Sequence, residues 1–156
     1  DRMPVFVEIP ATCAEPLWLA AADEVAASEF RLKLRTGGLE ADAFPSARAL
    51  AIWVDAALDR ETPFKCTAGL HRAVRHTGED GFEHHGFLNL LVATRRAFDG
   101  AAVDEVVATL EEREAAVLVE DADGLERARR WFTSFGSCSV SEPLDDLLAL
   151  GLLEKA

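Results

Sequence analysis

Charged side chains inside apolar, strand-like runs are the residues of this sequence best placed to do chemistry. Four of them interrupt three such runs: Glu8 in PVFVEIP, Lys33 and Arg35 in FRLKLRT, and Lys65 in PFKCTA. A charge inside a protein is unfavourable unless an opposite charge or a ligand compensates it. Because side chains alternate between the two faces of a strand, we expect the four to share one face, with Glu8 paired to a lysine. The alternative is a purely structural ion-pair network that fixes strand register.

Lys65 is the group around which we expect a reaction. A lysine amine forms Schiff bases with carbonyl substrates, and a lysine ammonium stabilises developing negative charge. Glu8 and His71 are the candidates for moving protons, and His71 lies in the loop that follows the third predicted strand. These three candidate catalytic residues favour a lyase- or aldolase-like reaction, although no feature excludes an isomerase.

Small and hydroxyl-bearing residues follow three of the predicted strands. At such positions backbone N–H groups approach an anion closely, although a glycine pair is also a common turn. Together with the cationic strand residues they predict a site for a phosphate or carboxylate group. The candidate substrate-binding residues are Lys33, Arg35, Thr36, Gly37, Thr67, Gly69 and Ser137.

The histidines of the chain are concentrated in one loop. They are His71, His76, His84 and His85. This spacing matches no standard zinc-binding pattern, so we assign no metal ligands and no other cofactor. A metal-dependent enzyme built on the histidine-rich loop stays a second alternative.

The overall composition excludes several classes of protein. The chain has 28 acidic and 16 basic residues and a formal net charge of −12, which disfavours binding to nucleic acid or to an anionic membrane. No apolar run reaches the roughly 20 residues of a membrane-spanning helix. Cys13, Cys66 and Cys138 form neither a disulfide framework nor a zinc motif, which favours a cytoplasmic location. Glycine-rich nucleotide motifs and the nucleophile elbow of hydrolases are also absent from the sequence.

Strands that alternate with helices must position these residues. β-branched and aromatic runs predict strands at 4–10, 30–36, 63–68 and 132–140, and residues 115–120 suit either a strand or a helix. Amphipathic segments predict helices at 17–28, 47–58, 86–98, 102–114, 123–130 and 143–153. This alternation predicts an α/β fold of parallel β/α units, either a half-barrel or an open, barrel-like sheet of four to five strands. The 156 residues suit a single β/α domain and are too few for a complete eight-stranded barrel.

Several segments of the sequence resemble a family of uncharacterised bacterial proteins. The segments are KLRTGG, AFPS, PFKCTAGLHRAVRH, HHGFLNLL and SFGSCSVSEPLDDLLALGLL, within residues 5–153. The resemblance implies a β/α fold, and it implies that this chain corresponds to the carboxyl-terminal part of longer proteins. It implies no activity and no catalytic residues.

These observations favour an enzyme that acts on a small anionic metabolite at the carboxyl ends of the strands. The alternative is a non-catalytic binding or scaffold domain related to half of a barrel. Because a half-barrel exposes two strand edges, we also expect a homodimer, or a partner chain that covers the open side. The enzyme hypothesis requires Lys33 and Lys65 to lie on the same face of the sheet.

Overall fold

Four parallel strands form the central sheet of the protein. The computed structural model describes residues 3–154. The strands of the sheet are, in spatial order, β1 (Phe6–Glu8), β2 (Arg31–Arg35), β3 (Phe64–Thr67) and β6 (Phe132–Phe135). A separate antiparallel hairpin consists of β4 (His76–Thr77) and β5 (Glu83–His84). The sheet is open, so the predicted α/β fold with a half-barrel or open sheet is confirmed.

Helices connect the strands. They are α1 (Glu15–Ala27), α2 (Ala47–Asp59), α3 (Phe87–Phe98), α4 (Val103–Glu111), α5 (Ala115–Glu120), α6 (Leu125–Ala128) and α7 (Ser141–Ala149), with a 3-10 turn at Ala41–Ala43. Ser46 caps α2, because its Oγ accepts a hydrogen bond from the backbone N–H of Ala49 at 3.1 Å. The ambiguous segment at 115–120 is helical. No helix within residues 3–154 is long and apolar enough to cross a membrane.

The last strand is shorter than predicted. The backbone N–H of Gly136 still donates to the carbonyl of Cys66 at 2.9 Å, but regular pairing ends at Phe135. Beyond it the hydroxyls of Ser137 and Ser139 accept hydrogen bonds from backbone N–H groups two and three residues further on. Local bonds of this kind compete with a strand ladder, so the predicted extension to residue 140 is wrong.

The two faces of the sheet differ sharply in character. Along β2 the side chains of Leu32 and Leu34 are buried, and those between and beside them are partly exposed. The buried face packs against α1, α2 and α3 in one hydrophobic core, in which the rings of Phe64 and Phe132 stack at 5.5 Å. We call the opposite face the open face; its residues are Phe6, Glu8, Arg31, Lys33, Arg35, Lys65, Thr67 and Ser134.

Candidate functional site

Glu8, Lys33 and Lys65 lie side by side across three strands of the open face. In the register of the parallel strands, Glu8 is paired with Lys33, and Lys33 is paired with Lys65. The row continues onto β6, where Lys65 is paired with Ser134. Register partners in a sheet project from the same face, so the expectation that Lys33 and Lys65 share one face is confirmed.

Glu8 is the counter-ion of two cations on the open face, Lys33 and Arg35. Its Oε2 lies 2.6 Å from Nζ of Lys33, and its Oε1 accepts a hydrogen bond from Nε of Arg35 at 2.9 Å. The hydrogen bond and charge of Lys33, followed by those of Arg35, outweigh the opposing effect of burial and lower the pKa of Glu8. Glu8 is therefore held as a carboxylate, which suits charge compensation better than the expected role in moving protons.

Lys65 rests on an aromatic ring. Its Nζ lies 4.4 Å from the ring centroid of Phe6, and the guanidinium of Arg31 lies 5.8 Å from the same ring. Within residues 3–154, no carboxylate comes within ion-pair distance of the Lys65 amine. Sequence reasoning missed Phe6 as part of the site, although its strand parity with Glu8 already placed it on this face.

The small residues at the ends of β2 and β3 take part in tight packing between two loops. The buried Thr36 hydroxyl donates to the carbonyls of Thr67 and Ala68, at 3.1 and 2.7 Å. A Cβ on Gly37 would lie 3.1 Å from the Cα of Gly69 and from the Ala68 carbonyl oxygen. Ala68 and Gly69 both have positive φ, 71° and 76°, so the chain turns sharply at the end of β3. These contacts give Thr36, Gly37 and Gly69 a structural role.

Thr67 differs from Thr36 because its hydroxyl has no partner among the residues that the structure describes. It follows Lys65 by two residues and pairs in register with Arg35, so it lies on the open face. Its Oγ1 is buried and has no hydrogen-bond partner in the part of the chain that the structure describes. A buried hydroxyl without a partner is unusual in a folded protein. Thr67 is therefore a candidate donor to a ligand on this face.

His71 and Ser137 meet where the loops after β3 and β6 approach each other. Nδ1 of His71 lies 3.3 Å from Oγ of Ser137 and 3.3 Å from Oε2 of Glu142. A serine–histidine–acid relay needs the hydroxyl and the acid on opposite ring nitrogens, and here both face the same nitrogen. The cluster is thus not such a relay, and no hydrogen bond or ion pair of the described residues joins His71 to Lys65. Glu142 was not predicted, because nothing in the sequence relates it to a residue of the β3 loop.

The other histidines have partners that do not resemble a metal site. Nε2 of His84 donates to the Asp80 carboxylate at 2.9 Å, and the rings of His76 and His84 stack at 5.2 Å. His85 is only 1% exposed; it hydrogen-bonds to the Pro45 carbonyl, and burial lowers its pKa to about 4. Among residues 3–154, no three His, Cys, Asp or Glu side chains converge as metal ligands would. This geometry gives the metal-dependent alternative no support.

The charge of the open face is the property that stands out for ligand binding. Four cationic side chains share this face with the single carboxylate of Glu8, in a chain whose net charge is −12. A positive face attracts small anions, and the acidic remainder of the surface repels polyanions such as nucleic acid. Comparison with known proteins adds nothing to this picture, because no family model, no curated protein and no solved structure matches the chain.

Proposed function

We propose that the open face binds a small anionic carbonyl compound, an oxo-acid or a phosphosugar, and that Lys65 forms a Schiff base with its carbonyl group. Reactions of this kind belong to the lyase or aldolase class. The observation that carries the proposal is the position of the Lys65 amine. It rests on the ring of Phe6 beside Lys33, and no carboxylate in the described range 3–154 neutralises it.

The neighbours of Lys65 support this assignment. Glu8 is engaged by Lys33 and Arg35, so it does not compete for the Lys65 amine. Those two cations remain on the same face, where they favour an anionic substrate group. The unpartnered hydroxyl of Thr67 supplies a further hydrogen-bond donor at the carboxyl end of β3.

The chemistry balances with groups that this chain supplies. The uncharged amine of Lys65 attacks the carbonyl carbon and forms a C–N bond, and the carbonyl oxygen leaves as water after two proton transfers. The bond between the α- and β-carbons of the substrate then breaks. Its electron pair forms an enamine with the protonated imine, and the β-hydroxyl loses its proton and becomes the carbonyl group of the released fragment. Protonation of the enamine carbon and hydrolysis of the resulting imine return the Lys65 amine. His71 is the candidate for the proton transfers, because Glu8 is held as a carboxylate by Lys33.

Borohydride trapping tests this proposal sharply, because the chain has only three lysines: Lys33, Lys65 and Lys155. The double variant Lys33→Arg/Lys155→Arg leaves Lys65 as the sole side-chain amine, and Lys65→Arg is the reciprocal variant. Each protein is incubated with pyruvate or dihydroxyacetone phosphate and reduced with borohydride, and the adduct is located by peptide mass spectrometry. We expect an adduct on Lys65 in the double variant and none in Lys65→Arg. Equal trapping in Lys65→Arg contradicts the Schiff-base mechanism.

A non-catalytic binding or scaffold domain is the second candidate function. It is favoured by the uncovered open face, because parallel sheets usually bury both faces. Calorimetry with the same two compounds separates the candidates. If the Lys65→Arg variant still binds these compounds and no variant gives a trapped adduct, the protein is a binding domain. Binding accompanied by an adduct on Lys65 identifies the enzyme.

A further inference from the structure

A cavity of about 380 Å³ lies between α7 and the loop that leads into β4. None of its lining residues belongs to the open face. Its polar wall consists of Arg72, Arg75, Arg113, His76 and the carboxylate of Asp146, and its apolar part includes Val74 and Leu150. The volume lies within the range of small-molecule sites, roughly 300 to 1,000 Å³.

The arginines of this cavity are held in place by partners outside it or at its rim. Arg75 donates to Nδ1 of the buried His85 at 3.2 Å, and its backbone N–H donates to Asn89 at 2.9 Å. Arg113 forms an ion pair with Glu83 at 2.5 Å, and the same Glu83 oxygen lies 3.5 Å from Nε of Arg75. The side-chain contacts restrain the guanidinium groups of Arg75 and of the half-exposed Arg113, which reduces the entropy lost on binding.

Arg72 is held from the opposite side by α7. Its Nη2 lies 3.1 Å from Oδ1 of Asp146, and Oδ2 of Asp146 accepts a hydrogen bond from the Ala73 N–H at 2.8 Å. A guanidinium has five N–H donors, and the partners of each arginine use only some of them. Donors on Arg72 and Arg113 therefore remain for a ligand.

The charge balance around the cavity selects the kind of anion. Three guanidinium groups face two carboxylates, those of Asp146 and Glu83, which leaves one positive charge in excess. His76 adds no charge at neutral pH: burial, together with the charges of His84, Arg72 and Arg113, lowers its pKa. One excess positive charge beside an apolar surface matches a monoanion attached to an apolar body.

We propose that this cavity binds a small monocarboxylate with an apolar body, with its carboxylate on Arg72 and Arg113 and its apolar part against Val74 and Leu150. Arginine suits this role because its planar fork matches a carboxylate in two-point hydrogen bonding. The site is independent of Lys65, so it stands whether or not the open face carries out Schiff-base chemistry.

Titration of the full chain with benzoate, followed by backbone amide NMR shifts, tests the proposal. Benzamide is the uncharged counterpart of the probe, and inorganic phosphate tests for general anion binding. Arg113→Gln removes a proposed contact, and Ala149→Phe fills the cavity from an exposed position on its rim. Arg127→Gln is the matched control, because Arg127 is a surface arginine paired with Asp99 outside the cavity.

We expect benzoate to shift the amides around residues 72–76, 113–115 and 146–150, and benzamide to have no effect. Arg113→Gln should weaken binding about tenfold or more, because a charge-assisted hydrogen bond is lost. Ala149→Phe should abolish binding, and Arg127→Gln should leave it unchanged. Circular dichroism verifies that each variant folds; if Arg113→Gln does not, Ala149→Phe decides the question.

Three results would overturn the proposal. The first is the absence of benzoate-induced shifts at millimolar concentration. The second is that phosphate binds as tightly as benzoate and that both Arg113→Gln and Ala149→Phe retain this binding. The third is a set of shifts centred on Lys33 and Lys65, which would assign the carboxylate to the open face.

Discussion

At the scale of single residues, Glu8 organises the cations of the open face. Its two carboxylate oxygens are divided between Lys33 and Arg35, and its side chain is 28% exposed, so these ion pairs are only partly screened by water. Because folding lowers the pKa of Glu8, the ion pairs stabilise the protein above the ordinary pKa of this carboxyl. That stabilisation is lost as the pH falls through the lowered value of the folded state.

The substitution Glu8→Gln should therefore lower the free energy of unfolding at pH 7 by about 1 kcal/mol. The physical reason is that Lys33 and Arg35 lose their counter-ion and repel each other. Urea denaturation at pH 7, 5 and 3 measures the effect, and the difference from the unsubstituted protein should shrink as the carboxyl becomes protonated. Glu24→Gln, at an exposed position of α1, is the control and should have little effect. A difference that grows on acidification would contradict this account.

At the scale of elements, the loops after β2 and β3 are packed against each other as one unit. Gly37 supplies the close backbone approach, and the Thr36 hydroxyl bonds to two carbonyls of the other loop. This contact fixes the carboxyl ends of both strands, and with them Arg35 and Thr67 at the end of the open face. The positions of Arg35 and Thr67, both candidate ligand-binding residues, thus depend on the packing of these two loops against each other.

Gly37→Ala should destabilise the protein by about 1–3 kcal/mol, because the new Cβ meets rigid backbone atoms. The contacts at risk are with Gly69 Cα and the Ala68 carbonyl oxygen, both at 3.1 Å, which is too close for an unstrained methyl group. Thermal and urea unfolding measure the loss. Gly136→Ala is the matched control: its Cβ would have no neighbour nearer than 3.8 Å, so its effect should stay within about 0.5 kcal/mol. Equal effects of the two substitutions would show that the loop contact is unimportant.

At the scale of the whole molecule, the sheet is incompletely covered. β1 and β6 are its outer strands, and neither has a second neighbour in the part of the chain described by the structure. Unpaired strand edges readily pair with other chains, and proteins usually cover them. Both outer strands are short, with three residues in β1 and four in β6, so each exposes only a brief edge.

We predict on these grounds that the protein is a homodimer in solution. Size-exclusion chromatography with light scattering should give twice the chain mass of 16.9 kDa. Pairing through strand edges relies on backbone hydrogen bonds, so the dimer should persist in 1 M salt, where interactions between exposed charges are screened. A mass of one chain at every concentration would contradict the prediction and would leave a self-contained open sheet.

Local patterns in the sequence were enough to determine the fold class and the shared face of the charges. Apolar alternation in FRLKLRT places Leu32 and Leu34 on one side and Lys33 on the other, because the period of a strand is two residues in any fold. The helix over 47–58 and its Ser46 cap likewise depend on residues close together in the chain. The sequence also identified Lys33 and Lys65 as same-face residues, on the argument that unpaired charges inside strands are unfavourable.

Only the tertiary structure decided which side chains meet across distant segments. The ring of Phe6 lies under Lys65 because β1 and β3 flank β2, and strand order is not encoded in any local pattern. The contact of Glu142 with His71 and that of Asp146 with Arg72 depend on where α7 packs against the β3 loop. Such contacts form between residues far apart in the chain, and their energies arise only when the whole core has assembled.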